Sequence, residues 1–273
     1  MSKTDFQKCA ELISSATGLL VTAGAGMGVD SGLPDFRGNA GFWNHYPALG
    51  KQGMGFTDIA NPAAFRADPK LAWGFYGHRL NLYREAVPHH GFEVLREICG
   101  NMPDGMFVFT SNVDGQFQKA GFDPRKTCEI HGSIHFLQCM ENCNCDIWPA
   151  DDFQPMVDHA NCLLLSLLPR CPGCGGIARP NILMFDDGEW NDRRMARQQR
   201  EMGAWLETVA RLLVIELGAG TAIPGVRMMG ARTGTPMIRI NPREPAVSRP
   251  GSVGLAMTAL EGLLEIRQAL LEA

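Results

Sequence analysis

Four short apolar runs, each closed by a polar or glycine-rich turn, constrain this chain more than any other feature. They are Gly18-Leu-Leu-Val-Thr-Ala23, Gly105-Met-Phe-Val-Phe-Thr110, Leu212-Leu-Val-Ile-Glu-Leu217 and Met237 to Ile240. Helical patterns lie around and between them. Phe6, Ala10, Ile13 and Ala16 repeat at helical spacing over Asp5 to Ala16, with Thr4 placed to cap that helix, and Pro69 to Arg84 and Arg193 to Ala210 read the same way. Continuous apolar strands alternating with helices predict an open α/β fold, a parallel sheet covered on both faces. Ligands of such sheets bind beyond the carboxyl ends of the strands, so the turns Gly24 to Asp35, Ser111 to Gly115 and Gly218 to Ile223 should converge on one crevice.

Two stretches interrupt the alternation. Residues 39–90 are aromatic-rich with several prolines and read as a helical insertion, while 137–180 carries clustered cysteines and little periodicity. Together they predict a smaller domain beside a larger one made of 1–38, 91–136 and 181–273. The length of 273 residues suits one large domain with a small companion, because single cores stop growing near roughly 250 to 300 residues. A formal charge of −4 with interspersed signs lacks the basic footprint of a nucleic-acid binder. No apolar stretch approaches the roughly 20 residues needed to cross a bilayer. The polar N-terminus has no secretory pattern, so a cytoplasmic protein is expected.

In a reducing compartment clustered cysteines point to metal and not to disulfides. Cys139-Met-Glu-Asn-Cys143 and Cys171-Pro-Gly-Cys174 supply two thiolate pairs at spacings suited to tetrahedral zinc. Cys145 competes with Cys143 for one position. Four thiolates close the coordination sphere, which makes the expected zinc structural.

The loop Gly24-Ala-Gly-Met-Gly28 has the look of a strand-to-helix phosphate loop, although Val29 replaces the last glycine of the dinucleotide fingerprint. Pro34-Asp35-Phe36-Arg37-Gly38 follows, where a guanidinium and an aromatic ring could hold a pyrophosphate and cover a ribose. Thr110-Ser-Asn-Val-Asp-Gly115 brings hydroxyl, amide and carboxylate groups to a strand end; an ordinary turn explains it equally well. Glu129-Ile-His131-Gly-Ser133, with His135 beyond, offers a histidine able to act as a general base near neutral pH.

Taken together, these motifs resemble the sirtuin family in order and spacing. Pro180-Asn-Ile-Leu-Met-Phe185, the Gly218 to Thr221 turn and Ile240-Asn241-Pro242 extend the likeness over roughly residues 5 to 260. The resemblance implies a Rossmann-like NAD domain with a smaller zinc-ribbon and helical domain. It also implies an acyl-lysine protein or peptide as substrate, NAD as co-substrate, and free lysine, nicotinamide and O-acyl-ADP-ribose as products. By the same resemblance His131 is the general base for a ribose hydroxyl, and Asn112 and Asp114 order the ribose and recognise the carboxamide. Gly24, Ala25 and Gly26 form the phosphate loop. Asp35, Phe36 and Arg37 belong to a loop covering the nicotinamide ribose. Gly218 and Thr221 form the second turn, Asn241 meets the adenosine ribose, Phe185 stands at the acyl-lysine tunnel, and Leu255 lies against adenine or in the core.

The family usually has glutamine where this chain has Ser111 and serine where it has Gly28. A serine is too short to reach a ribose hydroxyl directly, so a bridging water or a different seat for NAD is expected there. Phe185 is followed by Asp186-Asp187-Gly188-Glu189 in place of the usual glycine and glutamate, which could change the register of that edge. Tyr76-Gly-His-Arg79 resembles the Tyr-x-x-Arg pair of the branch that removes succinyl and malonyl groups, where phenol and guanidinium bind a distal carboxylate. These departures keep two alternatives in view: transfer of ADP-ribose to protein or water on the same fold, and an NAD or ADP-ribose sensor without turnover.

Overall fold

The structure, a computed structural model, describes residues 3–34, 38–143 and 146–273. Among the described residues eleven strands run in the order β1 Gly18–Ala23, β2 Gly105–Thr110, β3 Thr127–Glu129, β4 Gly132–Cys139, β5 Trp148–Pro149, β6 Val157–Asp158, β7 Leu163–Leu164, β8 Ala178–Ile182, β9 Leu212–Leu217, β10 Met237–Ile240 and β11 Val253–Leu255. Six of them form one sheet in the spatial order β11-β10-β9-β1-β2-β3, and every pairing is parallel. The strand order reverses between β1 and β9, the topological switch point at which Rossmann-like sheets bind ligands.

Side-chain alternation shows why the sheet needs cover on both faces. Leu19, Val21 and Ala23 of β1 join Val108, Ile215 and Ile238 in one core with Cys9, Ile13, Phe92, Leu263 and Ile266. These last come from the helices Lys3–Ser15, Gly91–Cys99 and Ala259–Glu272. Leu20, Phe107, Phe109 and Val214 point the other way, onto Met202 and Trp205 of the helix Arg193–Thr208. The four apolar runs become strands over the expected residues. The first helix starts at Lys3, so Thr4 lies inside it and is not its cap.

A separate apolar cluster joins residues from both interruptions. Trp73, Phe75, Tyr76 and Leu80 of the helix Pro69–Glu85 meet Leu137, Cys162, Leu164 and Ala178 there. Trp73 also donates from its ring to Ala178 O at 2.9 Å. Gly74 permits this approach, because a Cβ at that position would overlap the Cys162 carbonyl. The 137–180 stretch, read as aperiodic, contains the antiparallel set β5-β4-β8 and the two-residue ladder β6-β7.

Candidate active site

At the switch point the turns after β1 and β9 lie in backbone contact. A Cβ on Gly24 would come within 2.9 Å of Gly218 O, and one on Gly26 within 2.7 Å of Gly218 Cα. These glycines therefore serve the crossing of two turns of the chain as well as any ligand. Gly24 N donates to Leu217 O at 3.0 Å and Gly26 N to Gly218 O at 3.1 Å. Among the described residues no hydrogen bond uses the N–H groups of Ala25, Ala219 or Gly220. Those donors suit phosphate oxygens, so the main chain here fits a dinucleotide pyrophosphate.

The second turn is braced from behind. Ala219 O accepts from Arg227 Nε at 3.0 Å, Arg227 Nη2 at 2.9 Å and Asn241 Nδ2 at 2.9 Å. Arg227 in turn pairs with Glu244 at 2.9 Å, and Thr221 Oγ1 donates to the same carboxylate at 2.8 Å. Buried Glu216 binds Arg239 at 2.5 Å. Of this bracing the sequence reading had only Asn241 and Thr221; a glutamate inside an apolar strand was the available signal, because a buried charge requires a partner. Leu255 is fully buried within the sheet's core, and its carbonyl accepts from Asn241 N at 3.0 Å.

The third turn leans on the first. Asn112 Nδ2 donates to Gly24 O at 3.0 Å, Ser111 N to Ala23 O at 3.1 Å, and Thr110 Oγ1 to Ala23 O at 3.0 Å. Asp114 is buried and accepts from Gln116 N at 2.9 Å. Burial pushes its carboxyl up to about 6. His131, in the turn between β3 and β4, is held by a hydrogen bond from its ring to the Ser111 backbone; burial drives its pKa below the ordinary value, and this bond opposes the shift. Ser111 thus reaches the site through its main chain. Where the family has serine, a Cβ on Gly28 would lie 3.2 Å from Leu33 Cδ1 and 3.6 Å from Asp114 Oδ2. Asp35, Phe36 and Arg37 lie outside the described residues.

Beyond β8, Phe185 is partly exposed and its ring meets Phe56 edge-on at 5.8 Å. Asp186, where the resemblance places glycine, takes the left-handed conformation, φ 53°. The Asp187 side chain is fully buried and makes a two-pronged ion pair with Arg179, at 2.7 and 2.9 Å, while also accepting from Met184 N at 3.3 Å. From Phe185 aromatic rings continue inward through Phe56 and Phe75 to the Arg79 guanidinium, 5.2 Å from the Phe75 centroid. Arg79 donates to Tyr83 Oη from Nε at 3.0 Å and from Nη2 at 2.8 Å. Tyr76 lies on the same helix face, its ring 5.7 Å from the guanidinium carbon. Tyr83 was not anticipated, although its spacing of four from Arg79 pointed to it.

Away from the crevice, the Sγ atoms of Cys139, Cys143, Cys171 and Cys174 lie within 4.8 Å of one another. Cys139 and Cys174 are 3.6 Å apart and Cys143 and Cys171 3.5 Å. Tetrahedral Zn–S bonds of about 2.3 Å require S···S separations of about 3.8 Å, so the four thiols fit zinc. Backbone N–H groups of Glu141, Gly173 and Gly176 approach three of the sulfurs at 3.3 to 3.4 Å, as suits charged thiolates. Cys145 lies outside the described residues.

Comparisons with known proteins agree with this geometry. Residues 24–215 match the Sir2 family. An NAD-dependent protein deacylase of Aquifex aeolicus is 26% identical over 256 residues, covering 93% of this chain and 95% of the relative. The mitochondrial NAD-dependent protein deacylase sirtuin-5 of Danio rerio is 31% identical over 199 residues, covering 67% of this chain and 62% of that protein. Among solved structures, a complex of a Sir2 homologue with NAD superposes with a TM-score of 0.70 at 24% identity, covering 97% of this chain and 94% of the other, and shares the fold.

Proposed function

The chain belongs to the Sir2 family, and on that premise we propose that it is an NAD-dependent protein-lysine deacylase that prefers acidic acyl groups. The observation that carries the reading is the meeting of His131, Asn112 and Asp114 with the two glycine turns at the switch point. Relatives named NAD-dependent protein deacylases, one of them matching nearly the full length, support the activity. NAD, when bound, supplies the electrophilic ribose carbon and the nicotinamide leaving group. Ala25, Ala219 and Gly220 hold the pyrophosphate through their N–H groups, with Gly24, Gly26 and Gly218 keeping side chains out of the way. Asn112, its amide nitrogen fixed on Gly24 O, turns its oxygen toward the ribose. Asp35, Phe36 and Arg37 belong to the covering loop. Zinc held by the four cysteines organises the ribbon and takes no part in the chemistry.

His131 is the base. Its depressed pKa keeps the ring neutral at physiological pH. With one ring N–H held by the Ser111 carbonyl, the other nitrogen is a lone-pair acceptor for a ribose hydroxyl proton. Phe185 admits the acyl-lysine stem, and the aromatic path behind it ends at Arg79, Tyr76 and Tyr83. A guanidinium and phenols at the end of an apolar path suit a carboxylate on the far end of the acyl chain. The sirtuin-5 relative is consistent with that preference.

The test is nicotinamide release from NAD with acetyl-lysine, succinyl-lysine and no peptide, read by mass spectrometry. Succinyl-dependent release with O-succinyl-ADP-ribose is expected; equal rates for the two peptides would remove the acyl preference. Release without peptide, or ADP-ribose on protein, would replace deacylation by hydrolysis or transfer. His131→Ala should lower kcat by about 10² to 10⁴, the usual worth of a positioned base, and the acidic limb of kcat/KM should lie below the ordinary histidine value of 6.5.

A further inference from the structure

The ladder between β4 and β8 is broken in the middle. Gly132 and Ser133 lie opposite Ile182 and Asn181, and the next match is Leu137 with Pro180, so the pairing skips Ile134, His135 and Phe136. An irregularity of this kind bends the strand and re-aims its groups, and it recurs next to active sites. Here the skipped residues turn to the segment after β2. Ile134 N donates to Val113 O at 3.0 Å, and His135 Nε2 bonds to Asp114 O at 2.9 Å. A carbonyl only accepts, so Nε2 carries the hydrogen. The His135 carbonyl is tied down as well, by Ala150 N at 2.9 Å.

The imidazole also rests on the main chain of that segment. Gly115, with φ 70°, opens the short helix Gln116–Lys119. A Cβ on it would stand 2.7 Å from His135 Cδ2 and 2.8 Å from Nε2. One side chain therefore grips two consecutive residues, Asp114 by its carbonyl and Gly115 by contact. Burial holds the His135 ring below the ordinary histidine value, so near neutral pH it is an uncharged donor. His131 bonds the Ser111 backbone, at the other end of the same turn. Two imidazoles four residues apart thus hold both ends of the turn 111–115, with Asn112 and Asp114 on it.

We infer that His135 is a positioning residue for the nicotinamide end of NAD: it fixes the main chain of Asp114 and Gly115, and through it the side chains that meet the carboxamide. The inference rests on the deacylase reading and adds a residue that none of the roles above includes. Without the imidazole donor, the carbonyl of the buried Asp114 loses its partner, and the turn can relieve that loss only by shifting.

The test uses the zinc-loaded full chain, NAD and the acyl-lysine peptide that it turns over fastest, with nicotinamide and ADP-ribose each added as an inhibitor. His135→Phe keeps a ring on Gly115 and removes the donor, while His135→Gln puts back an uncharged donor of similar reach. In His135→Phe the inhibition constant of nicotinamide and KM for NAD should rise about tenfold, while the inhibition constant of ADP-ribose and KM for the peptide stay within about twofold. His135→Gln should recover nicotinamide inhibition. A merely structural role would weaken ADP-ribose as much as nicotinamide, and that result would overturn the inference. Unchanged nicotinamide inhibition in His135→Phe, or a glutamine variant as weak as the phenylalanine one, would overturn it too. A parent protein without peptide-dependent turnover would overturn the deacylase reading and this inference with it, and the parent alone shows which of the two has failed.

Discussion

In the parallel sheet, β1 holds six consecutive residues out of water between two helical layers. In the ribbon, β5, β6 and β7 are two residues long, and Leu165 and Leu167 beside them are 63% and 91% exposed. The sheet is fixed by many modest apolar contacts spread over distant segments. The ribbon concentrates its stability in four sulfurs and in the packing of the helix Pro69–Glu85 against its backbone. One truncated apolar side chain removes about 2 to 5 kcal/mol from such a sheet, whereas one lost thiolate can remove the metal and all that its binding contributes.

The largest effect should come from withdrawing zinc. Structural zinc binding is worth about 10 to 16 kcal/mol in small peptides, comparable to the roughly 5 to 15 kcal/mol stability of a whole domain. Chelation, or Cys171→Ser, should therefore melt the ribbon outright. Near-UV circular dichroism should lose the Trp73 and Trp148 signals while far-UV helix from the sheet's layers persists; simultaneous loss of both would show that the halves do not fold separately. The complementary break is Ile215→Ala, a buried residue of β9. It should cost about 2 to 5 kcal/mol in urea denaturation, with one zinc per chain retained by metal analysis.

A smaller and pH-dependent effect belongs to Asp114, on the border between the two halves. Its folded pKa is raised from 3.8 to about 6 by burial. Stability from that group is therefore fully present below 3.8 and is lost as pH rises through about 6. Asp114→Asn removes this loss, so the variant should gain on the parent by up to about 3 kcal/mol between pH 4 and 7. A constant difference across that range, in denaturation series at several pH values, would place the shift elsewhere. The smallest change is Asp186→Gly, which relieves a left-handed side chain but loosens the unfolded chain. Its net effect should stay within about 1 kcal/mol by thermal melting.

Legibility in the sequence followed the same division. β1, β2, β9 and β10 announced themselves because parallel strands buried on both faces must be continuously apolar. The glycines of their turns were equally plain. β3 and β11 escaped notice because three residues carry no measurable periodicity, and their place is set by the neighbouring strand. Of the four clustered cysteines, Cys139, Cys171 and Cys174 were readable because their spacing suits a metal knuckle, whereas spacing left Cys143 and Cys145 as alternatives. The Arg227 and Arg239 bracing was hidden, since its partners are far apart along the chain. The changed segment after Phe185 could be seen but not interpreted: Asp186 stands in for glycine through its backbone, and Asp187 is anchored by Arg179.

The contact between Gly26 and Gly218 has a consequence for redesign. Two turns touching backbone to backbone leave the crevice floor without a layer of side chains, so no side chain there can be exchanged to alter which dinucleotide is accepted. A Cβ on Gly24, Gly26 or Gly218 would push the turns apart before it met any ligand. Redesign of the turns has to begin with the side chains that brace them from behind, Arg227, Asn241 and Glu244, and not with the floor itself.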